Sequence, residues 1–241
     1  MKDRLSSDNE VYEIKKTVLK SPIIFAGFVG AGLVGPLAVG CMIDKLKMKE
    51  IAYLRSKHLP PSTVFMQGRL RHPFRLYANK EGTVCAIICE ITLPFGLHDI
   101  VNTILDWAEK KGSHEIVILD GVASKTHDGK AFCAAEEDLC RVMESNDIDM
   151  IPQGFITGVA GGLLNECLMR PIQGITLLVK ANDKGADPLA AATLLDAVNR
   201  AYGLNINTSD LRKKKKRIGA DFKELSDKYT EHKKIDSNMY M

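Results

Sequence analysis

The sequence has no apolar run reaching the ~18 residues that a membrane-crossing helix needs. It has no C-x-x-C pair, so the cysteines at 41, 85, 89, 133, 140 and 167 offer no close thiol pair for zinc or dithiol chemistry. The histidines at 58, 72, 98, 114 and 127 lack metal-ligand spacing. The motifs G-x-S-x-G, H-E-x-x-H and G-x-x-x-x-G-K-[ST] are absent, which removes three familiar routes to hydrolysis and phosphoryl transfer. The opening residues, Met1 to Glu10, carry acids and no apolar core, unlike a secretory signal. Little is extreme in what remains. With 45% hydrophobic and 26% charged residues over 241 positions, the composition is that of an ordinary globular chain. A chain of that size can bury roughly 70% of its unfolded surface and needs no disulfide staples. A cytoplasmic protein with reduced core thiols is expected, with no metal and no membrane partner.

The charge is uneven. The total is +3, but from Asp210 onward there are ten Lys/Arg against six Asp/Glu, so the residues before it sum to −1. A near-neutral body makes nucleic acid an unlikely partner for the globular part.

Patterning divides the chain into four segments. Residues 1–20 are polar, with a possible edge strand at Val11–Ile14. From 21 to 205, apolar strands alternate with helices of 11–16 residues. Strands are expected at Ser21–Gly27, Glu50–Leu54, Thr83–Ile91, Glu115–Leu119 and Ile172–Val179, with shorter candidates at 62–67 and 74–78. Helices are expected after Pro36, over 97–111, over Ala135–Ser145, from Thr157 to Met169 and from Pro188 to Tyr202. Continuous apolar strands separated by amphipathic helices imply an α/β domain of three layers, its sheet largely parallel or mixed and covered on both faces. Residues 206–235 read as a basic amphipathic helical arm, and 236–241 as a polar tail with an apolar end.

Several signals could carry chemistry. Gly30-Ala-Gly32-Leu-Val-Gly35 is a G-x-G-x-x-G between a strand and a helix, the context of a dinucleotide turn. The acid required at the end of the next strand is missing, because that strand ends Leu54-Arg-Ser-Lys57. Either Gly30, Gly32 and Gly35 bind a cofactor, or they let strand and helix pack closely. The cluster from Gly154 to Gly162, a helix entry rich in Gly and Thr, either binds an anion with its free N–H groups or makes a close helix–sheet or subunit contact. Glu90, Asp99, Asp120, Glu166, His98 and His127 are the acid–base candidates, and Asp120-Gly121 is expected to close its strand. They form no coherent catalytic set, so the chain is expected not to be an enzyme and to need no cofactor.

Near the end, Arg212-Lys-Lys-Lys-Lys-Arg217 is followed by Ile218, Phe222, Leu225 and Tyr229 at helical spacing, which with Leu211 form one apolar stripe. Such a stripe must bury against the body, a sister subunit or a partner. The sequence ends Met239-Tyr240-Met241. An apolar group, a phenol and a carboxylate together are either a compact docking element for a lysine-bearing pocket or an ordinary terminus.

Taken together, these segments resemble the proteasome assembly chaperone family, in its archaeal-type homo-oligomeric branch. The likeness is carried by Ile23–Gly35, by His58-Leu-Pro-Pro61, by Gly158-Val-Ala-Gly-Gly-Leu-Leu-Asn-Glu166 and by Ala186-Asp-Pro-Leu-Ala-Ala-Ala-Thr-Leu-Leu195. The resemblance implies a purine-nucleoside-phosphorylase-like fold without phosphorylase activity, and a homo-oligomer. It also implies a role for Met239, Tyr240 and Met241, which match the hydrophobic-Tyr-any ending of some members. In such endings the carboxylate pairs with a lysine between neighbouring α-subunits of the 20S proteasome, and the tyrosine sits at the pocket rim. The Lys/Arg run departs from that pattern, so no role is carried over to it. The alternative expectation is a nucleotide-binding protein or enzyme built on Gly30–Gly35.

Overall fold

The structure, a computed structural model, describes residues 8–66 and 68–213. Met239, Tyr240 and Met241, and most of the expected C-terminal arm, lie outside the described residues.

The centre of the fold is four parallel strands: β2 (Ile23–Gly27), β7 (Val84–Cys89), β8 (Glu115–Ala123) and β11 (Gln173–Ala181). They stand in the order β7-β2-β8-β11. Their side chains are buried on both faces, which explains the unbroken apolar runs. Phe25, Val117, Leu119, Leu177 and Val179 face one layer of helices, α1 (Val34–Lys45), α3 (Glu137–Glu144) and α5 (Pro188–Tyr202). Ile24, Ala26, Cys85, Ile116 and Ile118 face the other layer, α2 (Leu97–Lys110) and α4 (Gly158–Cys167). Each fully buried aliphatic side chain of this core contributes about 1.5–3 kcal/mol.

The sheet extends at both ends by antiparallel pairing. At one end, β6 (Phe74–Ala78), β3 (Lys49–Ser56) and β1 (Asn9–Glu13) follow β7 outward, so the expected edge strand is the edge. At the other, β9 (Ala131–Ala135) runs antiparallel to β11, and β10 (Asp149–Met150) completes nine strands. The sheet is therefore mixed rather than largely parallel. A separate hairpin, β4 (Val64–Met66) with β5 (Arg69–Arg71), joins β3 to β6 and pairs with neither.

Local chemistry sets the element ends. Asp187 caps α5, its carboxylate accepting from the Ala190 amide at 3.0 Å, with Pro188 in the first turn and Gly203 closing the helix at φ 64. A short α6 (Ser209–Lys213) follows, pinned by buried Leu211 and by pairs of Asp210 with Lys45 and Arg212 with Asp196.

Two expectations need correcting. Asp120-Gly121 does not close β8, which continues to Ala123 in register with β11. Ala135 belongs to strand β9, and the helix after it begins only at Glu137, following an extended Glu136. Small alternating residues at 131–135 carry no strand signal of their own, and only β11 as neighbour makes them one.

Candidate functional site

In the parallel centre, the chain leaves β2 toward β7 but leaves β8 toward β11. Strand order reverses between β2 and β8, and doubly wound sheets bind ligands in the crevice beyond the carboxyl ends at such a point. The glycine-rich turn follows β2 there, and Asp120 follows the last residue of β8 that pairs with β2. The two features singled out in the sequence thus meet.

They meet without leaving a cradle. A Cβ on Gly30 would stand 2.3 Å from Asp120 Oδ1. On Gly32, at φ 62, it would meet the Cβ atoms of Ala181 and Asp187 at 2.9 and 3.0 Å. On Gly35 it would lie 2.6 Å from the Leu119 carbonyl oxygen. The glycines bring a 3-10 turn, Ala31–Leu33, down onto the ends of β8 and β11. Gly121 makes the reciprocal allowance, since a Cβ there would be 2.4 Å from the Ala31 carbonyl oxygen. Asp187 ties the turn to α5: its amide donates to the Gly32 carbonyl at 2.7 Å, and its carboxylate also accepts from the Asn182 amide. The missing ribose acid also has a topological cause. In this fold β3 is not beside β2. The strand beside β2 is β7, and the acid following it, Glu90, is engaged elsewhere.

Burial pushes the Asp120 carboxyl up to about 6, although its Oδ1 accepts from the Gly121 amide at 2.7 Å. Glu90 is inaccessible, held by Arg75 at 2.5 Å with both side chains 2% exposed. The other acid–base candidates fall into separate pairs: His58 with Asp99 at 2.9 Å, His98 with Glu166 at 3.9 Å, and His127 with Asp187 at 3.3 Å. None of these joins Asp120. The candidates do not assemble into one catalytic constellation.

In the second glycine cluster only Gly161 and Gly162 pack inward, while Gly154 and Gly158 border open space, Gly158 at φ 70. A Cβ on Gly161 would meet the Ile156 carbonyl oxygen at 2.2 Å, and one on Gly162 the Val101 side chain at 2.8 Å. All six cysteines are free thiols, five of them buried. Burial pushes the thiols of Cys85 and Cys89 up to about 12, which leaves them unreactive. Among the described residues, no group of three His, Cys, Asp or Glu could hold a metal, and no helix is long and apolar enough to cross a membrane.

A cleft of about 420 Å³ opens beside α5 and α6, lined by His127, Lys130, Asp149, Asp196, Arg200 and Arg212. Its charges are taken up locally. Arg212 pairs with Asp196, Lys130 with Asp149 at 3.7 Å, and Arg200 donates to the carbonyls of Asn146 and Asp147. Sequence reasoning missed this cleft because its walls lie far apart in the chain.

The model of the PAC2 family matches residues 24–226. The chain belongs to the PAC2 family. Among solved structures of similar fold is a protein of unknown function from Thermoplasma acidophilum, 32% identical, with 91% of each chain covered and a TM-score of 0.85. PbaA of Pyrococcus furiosus, described as an archaeal homologue of proteasome-assembly chaperone, is 25% identical over 92% of this chain and 99% of its own, at a TM-score of 0.81. PbaB of the same organism, described as an archaeal proteasome activator, is 25% identical over 86% of this chain and 93% of its own, at 0.76. The resemblance read from the sequence and these PAC2 matches agree, and they agree on a single α/β fold with a large mixed sheet.

Proposed function

We propose that this PAC2 protein is a non-enzymatic proteasome-binding protein of the assembly-chaperone or activator type. It acts in the cytoplasm as a homo-oligomer and docks Met239, Tyr240 and Met241 into pockets between α-subunits of the 20S ring. The observation that carries this is the hydrophobic-Tyr-any ending on a chain whose 25%-identical neighbours are described as a proteasome-assembly chaperone homologue and a proteasome activator. The pinned α6 supports it, because the chain beyond Lys213 departs from a fixed place on the body. One short tail binds weakly, and several on one oligomer gain about 10²–10⁴ in avidity. Nucleotide binding at Gly30, Gly32 and Gly35 gains no supporting observation, since contacts inside the chain account for each glycine.

The test is size exclusion of the purified protein with 20S core from the same organism, beside a Tyr240→Ala variant. Co-elution is expected for the native chain, and the variant is expected to bind at least about 100-fold more weakly with its oligomeric state unchanged. A variant that binds as well as the native chain sinks the docking role.

A further inference from the structure

Strand edges stay open at three places among the described residues. The hairpin β4–β5 projects from the carboxyl-end rim, where β3 ends and β6 begins, with strands of three residues and with Phe65 and Leu70 exposed on one face. At one edge of the nine-stranded sheet, β10 has two residues. At the other edge, β1 has five. The ladder of β1 with β3 shows which of its groups face outward. The Lys57 amide donates to the Asp8 carbonyl at 3.0 Å, and the Ile14 amide to the Ile51 carbonyl at 2.9 Å. Both bonds fit the register that sets Tyr12 opposite Tyr53. Hydrogen-bonded pairs alternate along an antiparallel ladder, so Glu10 and Tyr12 also turn their backbone groups to β3. The N–H and C=O of Val11 and Glu13 therefore point away from the sheet, and no described residue bonds to them.

Edges are commonly guarded by proline, by lysine, by a bulge or by a covering element. Residues 8–14, Asp-Asn-Glu-Val-Tyr-Glu-Ile, contain no proline, glycine or lysine, and their register with β3 has no bulge. Their three acids do not repel a copy of the strand, because each is paired within the chain: Asp8 with Lys57 at 2.6 Å, Glu10 with Arg55 at 3.0 Å and Glu13 with Lys111 at 2.6 Å. One face of the strand is anchored, by Val11 against the core under α2 and by the Trp107 Nε1–H, which donates to Glu13 at 3.2 Å. On the other face Tyr12 is 49% exposed. An antiparallel edge is complementary to its own copy turned about a two-fold axis. With Tyr12 of one copy opposite Tyr12 of the other, Val11 of each meets Glu13 of the other, and the four outward backbone groups of each copy are hydrogen-bonded. The same register sets Glu10 opposite Ile14 and brings no like charges face to face. Centred two residues earlier, the pairing would set Glu10 against Glu10.

We propose that β1 of one copy pairs antiparallel with β1 of a second copy about a two-fold axis, joining the two sheets, with the two Tyr12 rings side by side at the centre. This rests on the homo-oligomer reading above and names its contact. Tyr12 takes a non-hydrogen-bonded position in the new ladder, where opposite side chains stand closest, so the two exposed rings cover each other. The edge gives each copy one partner, so the complete assembly holds an even number of copies.

Full-length Val11→Pro and Tyr12→Lys variants test this by sedimentation velocity, with circular dichroism to check that each is folded. Proline at 11 removes an N–H that the chain's own ladder does not use, and lysine at 12 opposes like charges across the axis. Each variant is expected to have half the native mass. Under mild oxidation Tyr12→Cys is expected to form a covalent dimer on a denaturing gel. Val11→Cys is expected not to, because in this register the two Cα atoms at 11 stand about 8 Å apart, beyond disulfide reach. A monomeric native chain overturns the oligomer reading and this contact with it. A native oligomer with an odd number of copies, or one that both variants leave intact, overturns the contact alone. So does a cross-link through Val11→Cys in place of Tyr12→Cys. A Val11→Pro oligomer of native mass that no longer co-elutes with the 20S core assigns the edge to a ring subunit, and also overturns the contact.

Discussion

Two features share the carboxyl-end rim of the sheet and are packed in opposite ways. The glycine turn after β2 looks like a ligand cradle in sequence, yet its space is filled by Asp120, Asp187, Ala181 and backbone oxygens. The hairpin between β3 and β6 looks like a loop with prolines before it, yet it holds two large apolar side chains out to solvent. The difference teaches that glycine at a switch point marks close approach, and that what approaches can be the chain itself. Surface that the fold leaves uncovered is a better pointer to an interaction than a motif that the fold has already filled.

The contrast can be tested by substitution. The largest effect is expected at Gly35→Ala, whose new methyl would press on the backbone of Leu119 and Phe28. A loss of about 3 kcal/mol is expected, read as a drop of roughly 6–12 °C in Tm. A Tm within about 2 °C of native would mean that the turn has room to spare.

Asp120→Asn should act in the other direction. The folded state holds this carboxyl up near 6, above the 3.8 it has when unfolded, so ionisation costs the folded state stability. That cost is absent below pH 3.8, grows between 3.8 and 6, and is complete above 6. The neutral variant is therefore expected to be more stable than native at about pH 8 by about 2–3 kcal/mol, and equal to it at about pH 3. Thermal melts across that range decide it, and a gain independent of pH would refute burial of the charged carboxylate as its cause.

The smallest effect on stability is expected at the hairpin. Phe65→Ser should change the folding free energy by about 0.5 kcal/mol or less, since the ring loses no internal contact of weight. A loss of about 2 kcal/mol or more in urea unfolding of the monomer would show that the ring belongs to the core after all.

Much of this architecture was legible in the sequence. The Asp187-Pro188 entry and Gly203 exit of α5 are local chemistry, and both lie where the pattern puts them. Strands β2, β7, β8 and β11 were readable because burial on both faces leaves an unbroken apolar run. Strands β5, β9 and β10 were not, because segments of two to five residues carry too little pattern and exist only through their neighbours. The antiparallel end was hidden for a related reason, since the prolines of 60–73 obscured the path from β3 to β6. The pairs His58–Asp99 and His127–Asp187 join residues that are 41 and 60 positions apart, a separation no spacing rule spans. The rim hairpin was half visible: a strand was expected at 62–67, but its solitary ladder was not.

The anchoring of α6 has a consequence for distance. Leu211 and the pairs Lys45–Asp210 and Arg212–Asp196 fix a point of origin on the body, and 28 residues run from Lys214 to Met241. Fully drawn out, that length spans at most about 95–100 Å, and coiled as a helix about 42 Å. Everything Tyr240 can touch lies inside a sphere of the larger radius centred on that point. Any surface beyond it is out of range, however well its chemistry matches.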